Sequence, residues 1–317
     1  MKLIALLVAL GLERLATQLF HLRELRWLDR LFDPCLRMIA RARQLPGWMS
    51  AAVVVAVFVA PVLLVRIGLG DRLFGLPFIL FSVVVLFFSL GPEDIFEEVS
   101  NWCSAVEGGD SERAEHLAKA LLECDPRVNS RMDEAIFVQA NNRIFAVVFW
   151  FIVIGPVGAW AVRVADLLRR RAIFAARRDI DTGTETEIAT EIESEIETSR
   201  VEETLDAVAA TDLVHSLLAW IPARLSALSY SLAGSFDHGR EAWTLSPSEQ
   251  QPHNLGERNE QLLERVGSAA LAFVPHESET VDEQQVRNAR DASGLVFRAL
   301  VFWAVAVAAL TLFSPAV

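Results

Sequence analysis

Several ionisable or amide side chains stand inside or at the ends of apolar stretches: Glu13, Arg14, Asn142, Arg143, Arg163, Asp166 and Arg224. Glu13 and Arg14 interrupt the first apolar run, LIALLVALGL. Asn142 and Arg143 stand at the mouth of a later run, Arg163 and Asp166 close its other end, and Arg224 follows Pro222 in a further apolar stretch. Charges in such places are costly unless paired or functional. The chemistry these side chains suit is recognition, because an arginine fork donates two parallel hydrogen bonds to a carboxylate or phosphate. For any single residue an interface anchor or a structural ion pair is the plainer reading. Arg224 and Glu13 stand apart, since each lies where a charge must be paired or reach water. A kink at Pro222 would turn Arg224 toward the bundle, and one polar pocket shared by Arg224, Arg143 and Glu13 is the expectation.

The patterns of other chemistries are missing. The chain has no Walker A sequence, no glycine-rich fingerprint after a strand, no paired CxxC, no HExxH and no serine in a nucleophile elbow. The histidines are scattered. The three cysteines (Cys35, Cys103, Cys124) lack zinc-type spacing, and an odd number argues against a full disulfide framework. They are read as reduced, buried small residues. No cofactor, no metal site and no nucleic-acid partner is expected.

The elements that must position the charged residues are membrane helices. Runs 48–65, 73–90 and 144–162 carry no charge, and 295–313 carries only Arg298 near one end. Each is about as long as the ~20-residue helix that crosses a bilayer. The expected fold is therefore an all-α integral membrane protein with about four transmembrane helices, amphipathic or re-entrant helices and an aqueous helical hairpin. The bilayer is its first partner.

Between the runs the chain alternates in charge. Residues 13–47 carry Arg14, Arg23, Arg26, Arg30, Arg37, Arg41 and Arg43 among leucines at helical spacing, a basic amphipathic pattern. Residues 163–178 are basic again. Both stretches favour the cytoplasmic side, yet three runs separate them. Either one run is re-entrant or the rule fails for one stretch, and Gly75-Leu76-Pro77 marks 73–90 as the run to be irregular. Of the net charge of −12, residues 179–203 contribute −9, from ten acids and one arginine. Their low-complexity alternation reads as a solvated linker.

The expected organisation is a first membrane part at 1–178, the acidic linker at 179–203 and a second membrane part at 204–317. The first part opens on an apolar N-terminal helix, too short to span, that lies in the interface or dips in partway. Residues 93–124 form the helical hairpin, turning at Gly108-Gly109, and a helix from about 128 runs on into the third span. Residues 205–233 are interrupted by Asp212, His215, Pro222 and Arg224, and read as an interfacial or re-entrant helix kinked at Pro222.

Three segments carry a resemblance: Gly11-Leu12-Glu13-Arg14-Leu15, the block from Asn142-Arg143 to Arg163, and Ile221-Pro222-Ala223-Arg224-Leu225. With the order of the membrane runs, they make the chain resemble the AmpE family of inner-membrane signalling modulators linked to β-lactamase induction. It is more distantly similar to the CobD/CbiB family of cobalamin-pathway membrane enzymes. That family carries an Arg-Asp-Thr segment before the third span and an Asn-Thr-x-Asp-Ser type segment after it. Here the stretches read Arg127-Val128-Asn129-Ser130-Arg131 and Ala161-Val162-Arg163-Val164-Ala165-Asp166, without the polar set of an amide-forming synthase. The resemblance implies a multi-pass inner-membrane regulator that binds a cell-wall-recycling ligand, anionic or amide-bearing, or a protein partner. A membrane synthase forming an amide bond is the alternative it implies.

Overall fold

The computed structural model describes Leu25, residues 28–41, 46–69, 76–90, 94–121, 131–185, 191–244, Pro252, 254–272 and 280–313; of 180–185, 191–200 and 310–313 it describes the backbone. Every regular element among them is helical. In chain order these are α1 (Asp29–Arg41), α2 (Gly47–Leu69), α3 (Leu76–Ser89), α4 (Ile95–Glu107), α5 (Ser111–Leu121) and α6 (Met132–Ala140). A π-helical turn, Asn141–Phe145, joins α6 to α7 (Ala146–Ile154). Then follow α8 (Pro156–Glu185), α9 (Glu191–Ala233), α10 (Phe236–Thr244), α11 (Leu255–Leu271) and α12 (Val281–Phe313).

Four stretches are long and apolar enough to cross a membrane: Gly47–Leu69, Met132–Ile154, Val201–Ala233 and Val281–Ala309. The protein is an all-α integral membrane protein. Two of these match runs expected from sequence, Met132–Ile154 overlaps a third and starts upstream of it, near where a helix leading into that run was expected, and Val201–Ala233 was not expected as an ordinary span. The 73–90 run yields α3, whose 14 residues rise about 21 Å, short of the ~30 Å hydrocarbon core. The run expected at 144–162 breaks at Gly155, whose φ of 89° lies where glycine is at ease. Pro156 then begins α8, so the apolar helix is reached earlier, through α6 and the π turn.

Residues 205–233, expected as a helix kinked at Pro222, lie within one long helix, α9. A helix proline orphans the carbonyl four residues earlier. For Pro222 that carbonyl is Leu218, and the indole Nε1 of Trp150 donates to it at 2.8 Å. The N–H that proline lacks is replaced from α7. The acidic stretch read as a solvated linker is helical in backbone on both sides of 186–190, through Glu185 and from Glu191. Glutamate is a good helix former.

The hairpin is present as α4 and α5, joined at Gly108-Gly109. Asp94 caps α4 by accepting from the Phe96 N–H at 2.9 Å, with Glu97 and Glu98 in the first turn, where the helix dipole favours acids. Of the cysteines, Cys103 is buried and Cys35 half-buried, both as free thiols; Cys124 lies outside the described residues.

The helix α9 is central, packing on α1, α2, α8, α10, α11 and α12. One apolar core joins α4, α6, α9, α11 and α12. Its aromatic centre is Tyr230, 4.9 Å from the Phe137 ring and 5.8 Å from the Phe145 ring. The Tyr230 hydroxyl, fully buried, donates to the Phe137 carbonyl. A second core joins α1, α2, α8 and α9. The apolar window of Met132–Ile154 is 72% buried against the protein and that of Gly47–Leu69 only 11%, so the former is the inner helix and α2 the lipid-facing one.

Candidate functional site

Four charged residues of α8, Arg163, Asp166, Arg169 and Arg170, recur at three- and four-residue spacing and so share one face. Arg163 Nη1 donates to Asp166 Oδ2 at 3.0 Å, and both side chains are almost wholly buried. Arg170 Nε lies 3.0 Å from each Asp166 oxygen. Burial alone would raise the Asp166 carboxyl; the charges of Arg170 and Arg163 outweigh it and hold it well below its ordinary value.

Arg169 points the network to other helices. Its Nε donates to Asp212 of α9 at 2.8 Å, and its Nη2 to Glu260 of α11 at 3.2 Å. Asp212 also packs on the first turn of α11: a Cβ at Gly256 would lie 2.9 Å from the Asp212 carboxylate and 2.8 Å from Ser216 Oγ. A side chain there would have to push these groups aside, and the close approach sets the carboxylate at the positive end of the helix. His215 is buried beside these groups, its Nε2 3.9 Å from Asp166 Oδ1, beyond hydrogen-bond reach. That nitrogen and Ser216 Oγ are buried and have no hydrogen-bond partner among the described residues.

One turn further along α9 the network changes character. Asn259 of α11 is buried, and its Nδ2 donates to the Ser216 carbonyl at 3.0 Å. Its Oδ1 accepts from Arg224 Nη1 at 3.0 Å, and the same nitrogen donates to the Trp220 carbonyl at 2.8 Å. The Arg224 guanidinium lies 4.1 Å from the centre of the Trp220 ring, a close cation–π contact. Among the described residues no carboxylate pairs with Arg224, and its Nε and Nη2 are uncommitted.

Arg143 lies at the π turn. Its Nη1 donates to both Glu98 oxygens, at 2.7 and 2.8 Å, and its Nε to Gln139 Oε1 at 3.1 Å. This buried pair ties the α4–α5 hairpin to the inner helix. Beside it, Asn141 Nδ2 donates to Asn142 Oδ1, and Ser226 Oγ of α9 donates to Asn141 Oδ1. The Ala146 N–H reaches back five residues to the Asn141 carbonyl, and such π turns recur at functional sites.

Of the residues expected at a site, Arg163 and Asp166 are thus joined directly. Arg143 and Asn142 sit at the π turn, and Arg224 meets Asn259 and Trp220. Glu13 and Arg14 lie outside the described residues. The sequence reading did not connect Arg169, Arg170, Asp212, Glu260, Asn259 and Glu98 to the site. The spacing of 163, 166, 169 and 170 carried a usable signal; the cross-helix partners carried none. A cavity of about 400 Å³ between α4 and α12 is lined by Glu107, Asp282, Arg287 and Arg290, among others, and by no residue of this network.

Comparison with known proteins places the chain. A family model described as regulatory signalling modulator protein AmpE matches residues 1–317, and the chain belongs to that family. It is also similar to the cobalamin biosynthesis protein CobD of Chromobacterium violaceum, 24% identical over 220 residues, covering 66% of this chain and 61% of that protein. The chain thus spans somewhat under two thirds of that relative's length. No solved structure matches.

Proposed function

We propose that this member of the AmpE family is an inner-membrane modulator that couples cell-wall recycling to β-lactamase induction. It acts by binding an anionic or amide-bearing ligand, or a protein partner, at the polar residues gathered along α9. The observation that carries this reading is the state of Arg224. Arg143, Arg163, Arg169 and Arg170 each face a carboxylate of this chain, whereas Arg224 is oriented by an amide, a carbonyl and a ring. A guanidinium fixed in place with donors open is suited to an incoming anion. Asn142, Arg143, Arg163 and Asp166 serve it by fixing the helices around it.

The test is β-lactamase induction in cells whose copy of this gene carries Arg224→Ala or Arg224→Lys, at matched membrane abundance. Arg224→Ala lowers the response to inducer, and Arg224→Lys retains part of it. Full induction in Arg224→Ala overturns the reading.

The similarity to a cobalamin biosynthesis protein favours a second reading, a membrane synthase forming an amide bond. Restoration of cobalamin synthesis in cells lacking their own CobD would favour it over the first.

A further inference from the structure

Arg224 stands on the most apolar exposed face of α9. Leu217, Ile221, Leu228 and Leu232 are all exposed large hydrophobics, and with Arg224 they recur at three- and four-residue steps along one side of the helix. Trp220, itself 43% exposed, lies under the guanidinium. In a membrane protein such a face meets acyl chains. An indole with one wet and one apolar end sits at the headgroup level. A cation there, without a carboxylate among the described residues, needs a counter-ion. A soluble anion could pair with the charge but would leave the leucines beside it without apolar partners. An amphiphile satisfies both.

We propose that the anion held by Arg224, oriented by Asn259 and Trp220, is the phosphate of a membrane lipid headgroup whose chains lie along the leucine face of α9. This rests on the reading of Arg224 as the open cation of the site, and names its ligand class. Nε and Nη2 supply the phosphate donors, Nη1 being engaged by Asn259 and the Trp220 carbonyl.

The full chain, purified in mild detergent and stripped of lipid, is titrated with phosphatidylglycerol, with diacylglycerol of the same chains and with inorganic phosphate. Thermal melting and native mass spectrometry report binding. Phosphatidylglycerol raises the melting temperature and is retained, whereas diacylglycerol and inorganic phosphate are not. Arg224→Gln weakens phosphatidylglycerol binding about tenfold, the scale of one charge-assisted contact. Trp220→Leu, which keeps the charge and removes the stack, weakens it less. Equal retention of phosphatidylglycerol and diacylglycerol overturns the proposal, as does protection by inorganic phosphate alone or unchanged affinity in Arg224→Gln. Should that variant fail to fold, unchanged affinity in Trp220→Leu overturns it. Loss of lipid binding with full induction would leave the lipid site standing and remove its signalling role; loss of induction with lipid binding unchanged would do the reverse.

Discussion

The Trp150 indole donates at 2.8 Å to the Leu218 carbonyl, the acceptor that Pro222 leaves without its helical N–H. In lipid an unsatisfied backbone group costs several kcal/mol, so α9 continues through Pro222 because α7 supplies the donor. Trp150→Phe should destabilise the protein by about 1–3 kcal/mol, the cost of a buried acceptor losing its partner. In a Pro222→Ala background, where the backbone N–H is restored, the same change should cost much less. Thermal melting of the four proteins in detergent forms the cycle, and equal costs in both backgrounds would refute the link.

Asp166 holds Arg163 and Arg170 together in a dry environment. Asp166→Asn removes the carboxylate that faces buried Arg163 and half-buried Arg170, and breaking a buried pair costs about 3–5 kcal/mol. A melting point within about 1 °C of the native protein's would show that the network stabilises nothing.

The depressed pKa of Asp166 fixes the sign of its pH dependence. A carboxyl whose folded value lies below its ordinary 3.8 contributes stability above that pH. The contribution is lost as pH falls through the folded value. Acid melting curves should therefore fall below about pH 4, and the fall should be shallower in Asp166→Asn. Asp33, lowered through its hydrogen bonds to Arg171, adds a smaller, more screened share in the same direction.

Arg143 and Glu98 make a different prediction from Arg224. Theirs is a largely buried pair in which one nitrogen, Nη1, donates to both carboxylate oxygens. Arg143→Met or Glu98→Met alone should destabilise by about 3–5 kcal/mol, while the double substitution should recover most of the loss. Such recovery, read by melting in detergent, marks a structural pair. A double variant as unstable as the worse single one would contradict it.

The sequence showed that the chain crosses a membrane, because the long apolar runs near 48–65 and 295–313, the first without charge and the second with only Arg298, need no tertiary information to be read. It also marked Arg163 and Asp166, which pair within one turn of helix. It read 205–233 as helical but not how Asp212 and Pro222 are accommodated there, since their partners lie elsewhere in the chain. Arg169 and Trp150 lie 43 and 68 positions from the groups they satisfy, and such pairings have no local signature. The break at Gly155 was likewise hidden within a run that stays apolar on both sides. Arg224 was visible as a costly charge, but its orientation by Asn259 and Trp220 was not.

The most direct measurement of the central claim is a high-resolution density map of the protein purified in mild detergent with its native lipids, read at Arg224. An anionic group from outside this chain is expected within hydrogen-bond reach of the guanidinium, about 3 Å, with the Trp220 stack and the Asn259 contact kept. A carboxylate of this chain on those donors, such as that of Glu13, would contradict it.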